Sequence, residues 1–175
     1  MIAKAHPIRG TVDQEQPFII SRTFDAPREL VWKAWTERKR LMQWFGPKGF
    51  TMPVARLDLR PDGICHFCLR APDGHEMWGK WVFREIVQPE RFVFVHSFSD
   101  AAGGATRHPM SPTWPLEMLS TVMCGEQNGR TLLTVRWLPL NPTDEERKTF
   151  NSSHESMKQG WSGTFEQLAD YLTKA

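Results

Sequence analysis

The spacing with the plainest chemical meaning is Cys65-x-x-Cys68, in the run "ICHFCLR" with His66 between the two thiols. Such a pair does metal or redox chemistry only in particular settings. A redox pair places its first cysteine at a helix N-terminus, where the thiol pKa falls. A zinc pair sits in a turn and needs two more ligands elsewhere. Here the run reads as a strand, which sends positions 65 and 68 to opposite faces. Cys65, Phe67 and Leu69 are expected to face inward, with His66, Cys68 and Arg70 on the other side. Cys124 lies several strands away. No metal ion and no other cofactor is expected.

Acid–base chemistry has three weak candidates: His154, His96 and Glu85. His154 lies between Phe150 and Met157 on the apolar stripe of an expected helix, at i+4 and i−3. A hydrogen bond to nearby backbone explains such a histidine, and a ligand contact or proton transfer is the alternative. His96 shares parity with Phe92, Phe94 and Phe98, the inward face of its strand. Glu85 follows Trp81 and Phe83 at alternate positions, as a cavity-rim carboxylate or as a strand-end partner for Arg91. Converging in an apolar pocket, the three would have shifted pKa values and could move protons. That would make an enzyme of the cyclase, dehydratase or isomerase kind. Nucleophile motifs are lacking: there is no G-x-S-x-G, and Gly103-Gly104 has no Lys-Ser/Thr after it.

The aromatic residues carry a firmer inference. Eight Trp and eleven Phe stand against one Tyr, enough for a large core or for an aromatic-lined cavity. Taking the face opposite Lys80 and Arg84 as inner gives Trp81 and Phe83. The same parity selects Phe67, then Phe94, His96 and Phe98, then Met118, then Val135 and Trp137. His154, Met157, Trp161 and Phe165 face them from the last helix, and Trp44 and Phe45 close one end. These fifteen positions are the expected lining of a pocket for a small apolar or amphipathic molecule. Binding without catalysis is the leading reading.

The elements that must position them follow from pattern. "FIISRTF" (18–24) is a strand, and Asp25 and Pro27 suit the start of a helix through Leu30, Val31, Ala34 and Trp35. Leu41, Trp44 and Phe45 suggest a second short helix, stopped at Gly46-Pro47. Antiparallel strands are expected at 54–60, 64–70, 77–87, 91–98, 116–124 and 130–138. Pro61-Asp62-Gly63, "APDGH" (71–75), Pro89-Glu90 and Asn128-Gly129 make the turns. The stretch 100–115, broken by Pro109, Pro112 and Pro115, is the longest irregular segment. With "WFGPKGF" (44–50) it is expected to frame the cavity mouth, with Trp44, Phe45 and Trp114 as apolar lips. Phe150, Met157, Trp161, Phe165, Leu168 and Leu172 then form one stripe on a long helix that begins near Asp144-Glu145-Glu146.

Composition narrows the function classes. A net charge of +2, with no Lys/Arg stripe, argues against nucleic acid. An odd cysteine count argues against a secreted disulfide framework. The start "MIAKAHPIRGTVDQEQP" has no apolar core of a signal peptide, and no run reaches the ~20 apolar residues that span a bilayer. The expectation is a cytoplasmic protein without membrane insertion. Residues 1–17 are expected to be a loose arm and 18–175 a single ligand-binding domain. A homodimer is compatible with the sequence.

Four blocks carry a family resemblance: "RTFDAPRELVWKAWTERKRLMQWFGPKGF" (22–50), "DLRPDG" (58–63), G-x-W-x-F-R-E-I-V-x-P-E-R (79–91) and "GWSGTFEQLADYL" (160–172). Together they resemble the heat-shock-protein-90 ATPase activator homologue-like family, a branch of the START/polyketide-cyclase (SRPBCC) superfamily. The resemblance implies an α+β helix-grip fold. In that fold a curved antiparallel sheet of about seven strands wraps a long C-terminal helix, with two short helices after the first strand. It also implies a cavity for a small hydrophobic molecule; chaperone activation belongs to longer members with a further N-terminal domain, and an interaction module that modulates a chaperone ATPase is the further alternative for this chain. Asp62 stands where such proteins often have Gly, Phe45 where a second Trp is common, and Phe98 near a frequent Trp. The resemblance therefore names no ligand.

Overall fold

The computed structural model describes residues 16–175, so the expected arm lies, but for its last two residues, outside the described residues. The elements are β1 (Phe18–Phe24), α1 (Arg28–Thr36), α2 (Arg38–Leu41), β2 (Thr51–Leu57), β3 (Ile64–Arg70), β4 (Glu76–Val87), β5 (Arg91–Ser99), β6 (Ala105–Thr106), β7 (Met118–Gln127), β8 (Arg130–Pro139), α3 (Asp144–Ser152) and α4 (His154–Lys174). The strands form one antiparallel sheet in the order β1-β8-β7-β5-β4-β3-β2, with β6 added beside β5. β1 and β2 are its free edges, so the sheet curves without closing. α4 lies across its concave face with Met157, Trp161, Phe165 and Leu168 in the core. This is the helix-grip fold.

Strand alternation does most of the folding. Along β7, Met118, Ser120, Val122 and Cys124 are buried while the residues between them are half-exposed. On β8, Leu133 and Val135 are fully buried. The β7–β8 hairpin turns at Asn128 (φ 51°) and Gly129 (φ 78°), two successive left-handed residues of the kind this turn requires. At the β2–β3 turn, Asp62 takes φ 64°, a conformation Asp tolerates better than most side chains. Gly63 beside it has no such freedom, because a Cβ there would lie 2.1 Å from the Asp58 carbonyl oxygen.

Several boundaries differ from the sequence reading. Helix α1 has Pro27 itself at its N-cap, with no side-chain cap, and Asp25 instead faces Arg130 at 3.8 Å. Helix α2 ends at Leu41, leaving Trp44 and Phe45 on the turn that follows. β2 begins three residues early and includes Pro53, tolerated because an edge strand need not use every N–H. The irregular stretch contains β6, which the Asp100 carboxylate helps to form by accepting from the backbone N–H groups of Ala102 and Gly104. The expected single C-terminal helix is two. Thr143 and Glu146 form a capping box at the start of α3. The helix then breaks at Ser153, whose hydroxyl donates to the Thr149 carbonyl at 2.6 Å.

Candidate ligand cavity

Between the concave face of the sheet and α4 lies a cavity of about 430 Å³. Its walls come from four places. β3 and β4 give Phe67, Leu69, Met77 and Trp81, and β5 gives Phe94, His96 and Phe98. β7 and β8 give Met118 and Trp137. α4 gives Met157 and Trp161, with Ser153 and Ser156 near its start. Phe45 and the segment from His108 to Leu116 complete the enclosure.

Six of these rings form a closed circuit. It runs Phe45–Trp81–Phe94–His96–Trp137–Trp161 and back to Phe45, with centroid separations of 5.2, 4.5, 6.1, 4.5, 5.6 and 6.4 Å. Each step falls in the range where aromatic pairs attract. Gly79 makes part of this arrangement possible. It stands opposite Phe67 in the β3–β4 ladder, and a Cβ there would come within 2.6 Å of the Phe67 ring.

Ten of the fifteen expected lining residues surround the cavity: Phe45, Phe67, Trp81, Phe94, His96, Phe98, Met118, Trp137, Met157 and Trp161. Five do not. Trp44 turns into the core, where its Nε1 donates to the Ala34 carbonyl at 2.9 Å and its ring packs on Trp35. Trp44 is therefore not one of the lips, whereas Phe45 and Trp114 line the space. Phe83, Val135 and Phe165 are core residues beneath the cavity floor. His154 packs edge-on against Phe18 and Phe150, and its Nε2 is buried with no hydrogen-bond partner among the described residues.

The three acid–base candidates are not brought together. Glu85 is exposed and receives a hydrogen bond from Arg91 at 2.5 Å. A bulge explains why parity misplaced it. The β4–β5 register shifts between Phe83 and Glu85, so Glu85 pairs with the outward Val93 and Ile86 takes the place opposite Phe92. His96 alone faces the cavity. It makes no hydrogen bond with the described residues, and burial lowers its pKa to about 4, so the ring is neutral near pH 7. Its neighbours are similarly short of partners: Trp137 Nε1 and Ser120 Oγ are buried with none.

The sequence reading missed Met77, Trp78, Gly79, Ser97, His108, Ser111, Pro115, Leu116, Ser153 and Ser156 as lining. Met77 and Gly79 carried a usable signal, since they share parity with Trp81. Trp78 and Ser97 have the opposite parity, Ser153 and Ser156 depend on the break between α3 and α4, and the rest depend on how one long segment folds back. That segment is held on α3 by Arg107–Glu146 at 2.7 Å, Thr113–Thr149 at 2.8 Å and the Trp114–Phe150 ring contact. The 44–50 turn is fixed separately, by Gln167 Nε2 donating to the carbonyls of Trp44, Gly46 and Pro47.

The thiols stay out of this site. Cys65 faces the core and Cys68 the other side of β3, both buried and unpaired. Burial pushes the Cys65 and Cys124 thiols up to about 12. Among the described residues no three His, Cys, Asp or Glu side chains are placed to share a metal ion. No described helix is long and apolar enough to cross a membrane.

Comparison with known proteins places this geometry. The family model described as activator of Hsp90 ATPase homolog 1-like protein matches residues 25–173. Among solved structures, a Mycobacterium smegmatis protein superposes with a TM-score of 0.73 at 22% identity, covering 91% of each chain. A Nitrosomonas europaea protein gives 0.72 at 25% identity, covering 93% of this chain and 97% of its own. An AHSA1 protein from Silicibacter pomeroyi gives 0.69 at 18% identity, covering 90% and 98%. These likenesses carry the fold. No curated protein matches.

Proposed function

The chain belongs to the activator of Hsp90 ATPase homolog 1-like family, and on that premise we propose that it holds a small, largely apolar molecule between its sheet and α4. Residues 18–175 act as the container. The observation that carries this reading is a space of about 430 Å³ lined by six rings that touch one another in a closed circuit. Well-packed cores leave few voids larger than a water molecule, and ligand sites are typically apolar spaces of about 300–1,000 Å³. His96 is the polar group that orients the occupant.

Two measurements test the reading. Native mass spectrometry of gently purified protein should show a fraction of the chain carrying a small organic mass that denaturation releases. A neutral solvatochromic dye should brighten on binding and be displaced by that extract. Protein that holds no such mass and binds no apolar dye would refute the container role. A chaperone-associated role is the alternative that the family description suggests. Stimulation of an Hsp90-type ATPase by micromolar protein would favour it.

A further inference from the structure

The chemistry of the cavity wall restricts what it can hold. Among the described residues, none of those around the space is Asp, Glu, Lys or Arg. The polar groups are the rings of His96 and His108, the serines Ser97, Ser111, Ser153 and Ser156, and the tryptophan N–H groups, of which Trp137 Nε1 is buried with no partner among the described residues. A carboxylate or phosphate brought among them would lose its water and find no counter-ion, which is strongly unfavourable. Both histidines are kept neutral near pH 7, because burial lowers the pKa of each. His108 is already engaged, its Nδ1 accepting from the Met110 N–H at 3.0 Å. His96 has both ring nitrogens without a partner among the described residues, and it lies between Phe94 and Trp137, whose Nε1 also has none. The rings around it offer flat faces to another ring.

We propose that the occupant is an uncharged, ring-containing molecule with a hydrogen-bonding oxygen, seated with that oxygen at His96. The proposal rests on the container reading and narrows it. Fatty acids and phosphorylated lipids would be excluded, although each is amphipathic. A ketone, an ester or a phenol on an aromatic body fits. The neutral imidazole carries one N–H and one bare nitrogen, so it can donate to a carbonyl oxygen or accept from a hydroxyl.

Three probes on one skeleton test this: 2-acetylnaphthalene, 2-ethylnaphthalene and 2-naphthoate, titrated at pH 7.5 by quenching of tryptophan emission. The neutral ketone should bind tightest and the carboxylate on the order of a hundredfold more weakly. In His96→Phe the ketone should lose roughly fivefold to tenfold while the hydrocarbon is unchanged. Naphthoate binding as tightly as the ketone in the wild-type protein would overturn the exclusion of charge without needing any variant. A His96→Phe variant that weakens ketone and hydrocarbon equally would overturn the seat at His96. Both results leave the container reading standing. Failure of all three probes to bind would instead remove the reading on which the proposal rests.

Discussion

His96 shows how a single side chain can be legible in identity and illegible in role. Parity along β5 placed it on the inward face, beside Phe94 and Phe98. Parity could not show that its partners would be rings rather than carboxylates, because Glu85 sits beyond a bulge that no residue type announces. The depressed pKa gives a test. An unfolded histidine takes up a proton near pH 6.5, whereas His96 in the fold does so near 4. Between those values the unfolded state binds more protons, so stability is full above about pH 6.5 and falls as the pH drops toward 4. Chemical denaturation of wild-type and His96→Phe proteins at pH 7 and pH 4.5 should show the larger loss in the wild type, by on the order of 2–3 kcal/mol. Equal losses would mean that His96 is solvated and titrates normally. The thiols give a second residue-scale test. Cys65, Cys68 and Cys124 are all buried, and burial raises the pKa of each. At pH 8, iodoacetamide should label none of them until denaturant is added. Rapid labelling of the native protein, read as a mass increase, would contradict the packing around β3 and β7.

At the scale of elements, what the sequence showed well were features fixed by local chemistry. The β7–β8 hairpin was written in Asn128-Gly129, and the start of the C-terminal helical segment in the acidic turn Asp144-Glu145-Glu146. Elements whose form depends on distant partners were not readable. The 107–116 wall takes its course from Arg107–Glu146 and Thr113–Thr149, contacts spanning 39 and 36 residues. The break at Ser153 divides a continuous apolar pattern, so Phe150 anchors the wall through Trp114 while Met157 and Trp161 serve the cavity. Trp161 ties α4 to the rest of the fold, touching Trp35 on α1, Phe45 on the turn after α2 and Trp137 on β8. Trp161→Ala should cost about 3–5 kcal/mol, lowering the melting temperature by roughly 6–20 °C for a chain of this size. A folded variant with an unchanged melting temperature would show that α4 is held by other contacts.

At the scale of the whole molecule, the aromatic residues do two opposed things. Trp35, Phe83, Phe92 and Phe165 are packed into a solid base with almost no exposure. Directly above them the same fold leaves about 430 Å³ unfilled. A ligand that enters should stabilise the fold by mass action, about 2.7 kcal/mol at a hundredfold excess over Kd, or roughly 5–10 °C in melting temperature. Filling the space with protein should have the opposite pattern. Met77 lines the wall on β4 and is half-buried, so a larger ring can enter the void without displacing the core beneath it. Met77→Phe is therefore expected to melt at or slightly above the wild-type temperature when no ligand is added. The same variant should lose most of the shift produced by 2-acetylnaphthalene. Stability and capacity would then trade against each other at one position, as expected where a void is kept for function. A Met77→Phe protein that gains the full ligand-induced shift would place the binding site outside this cavity.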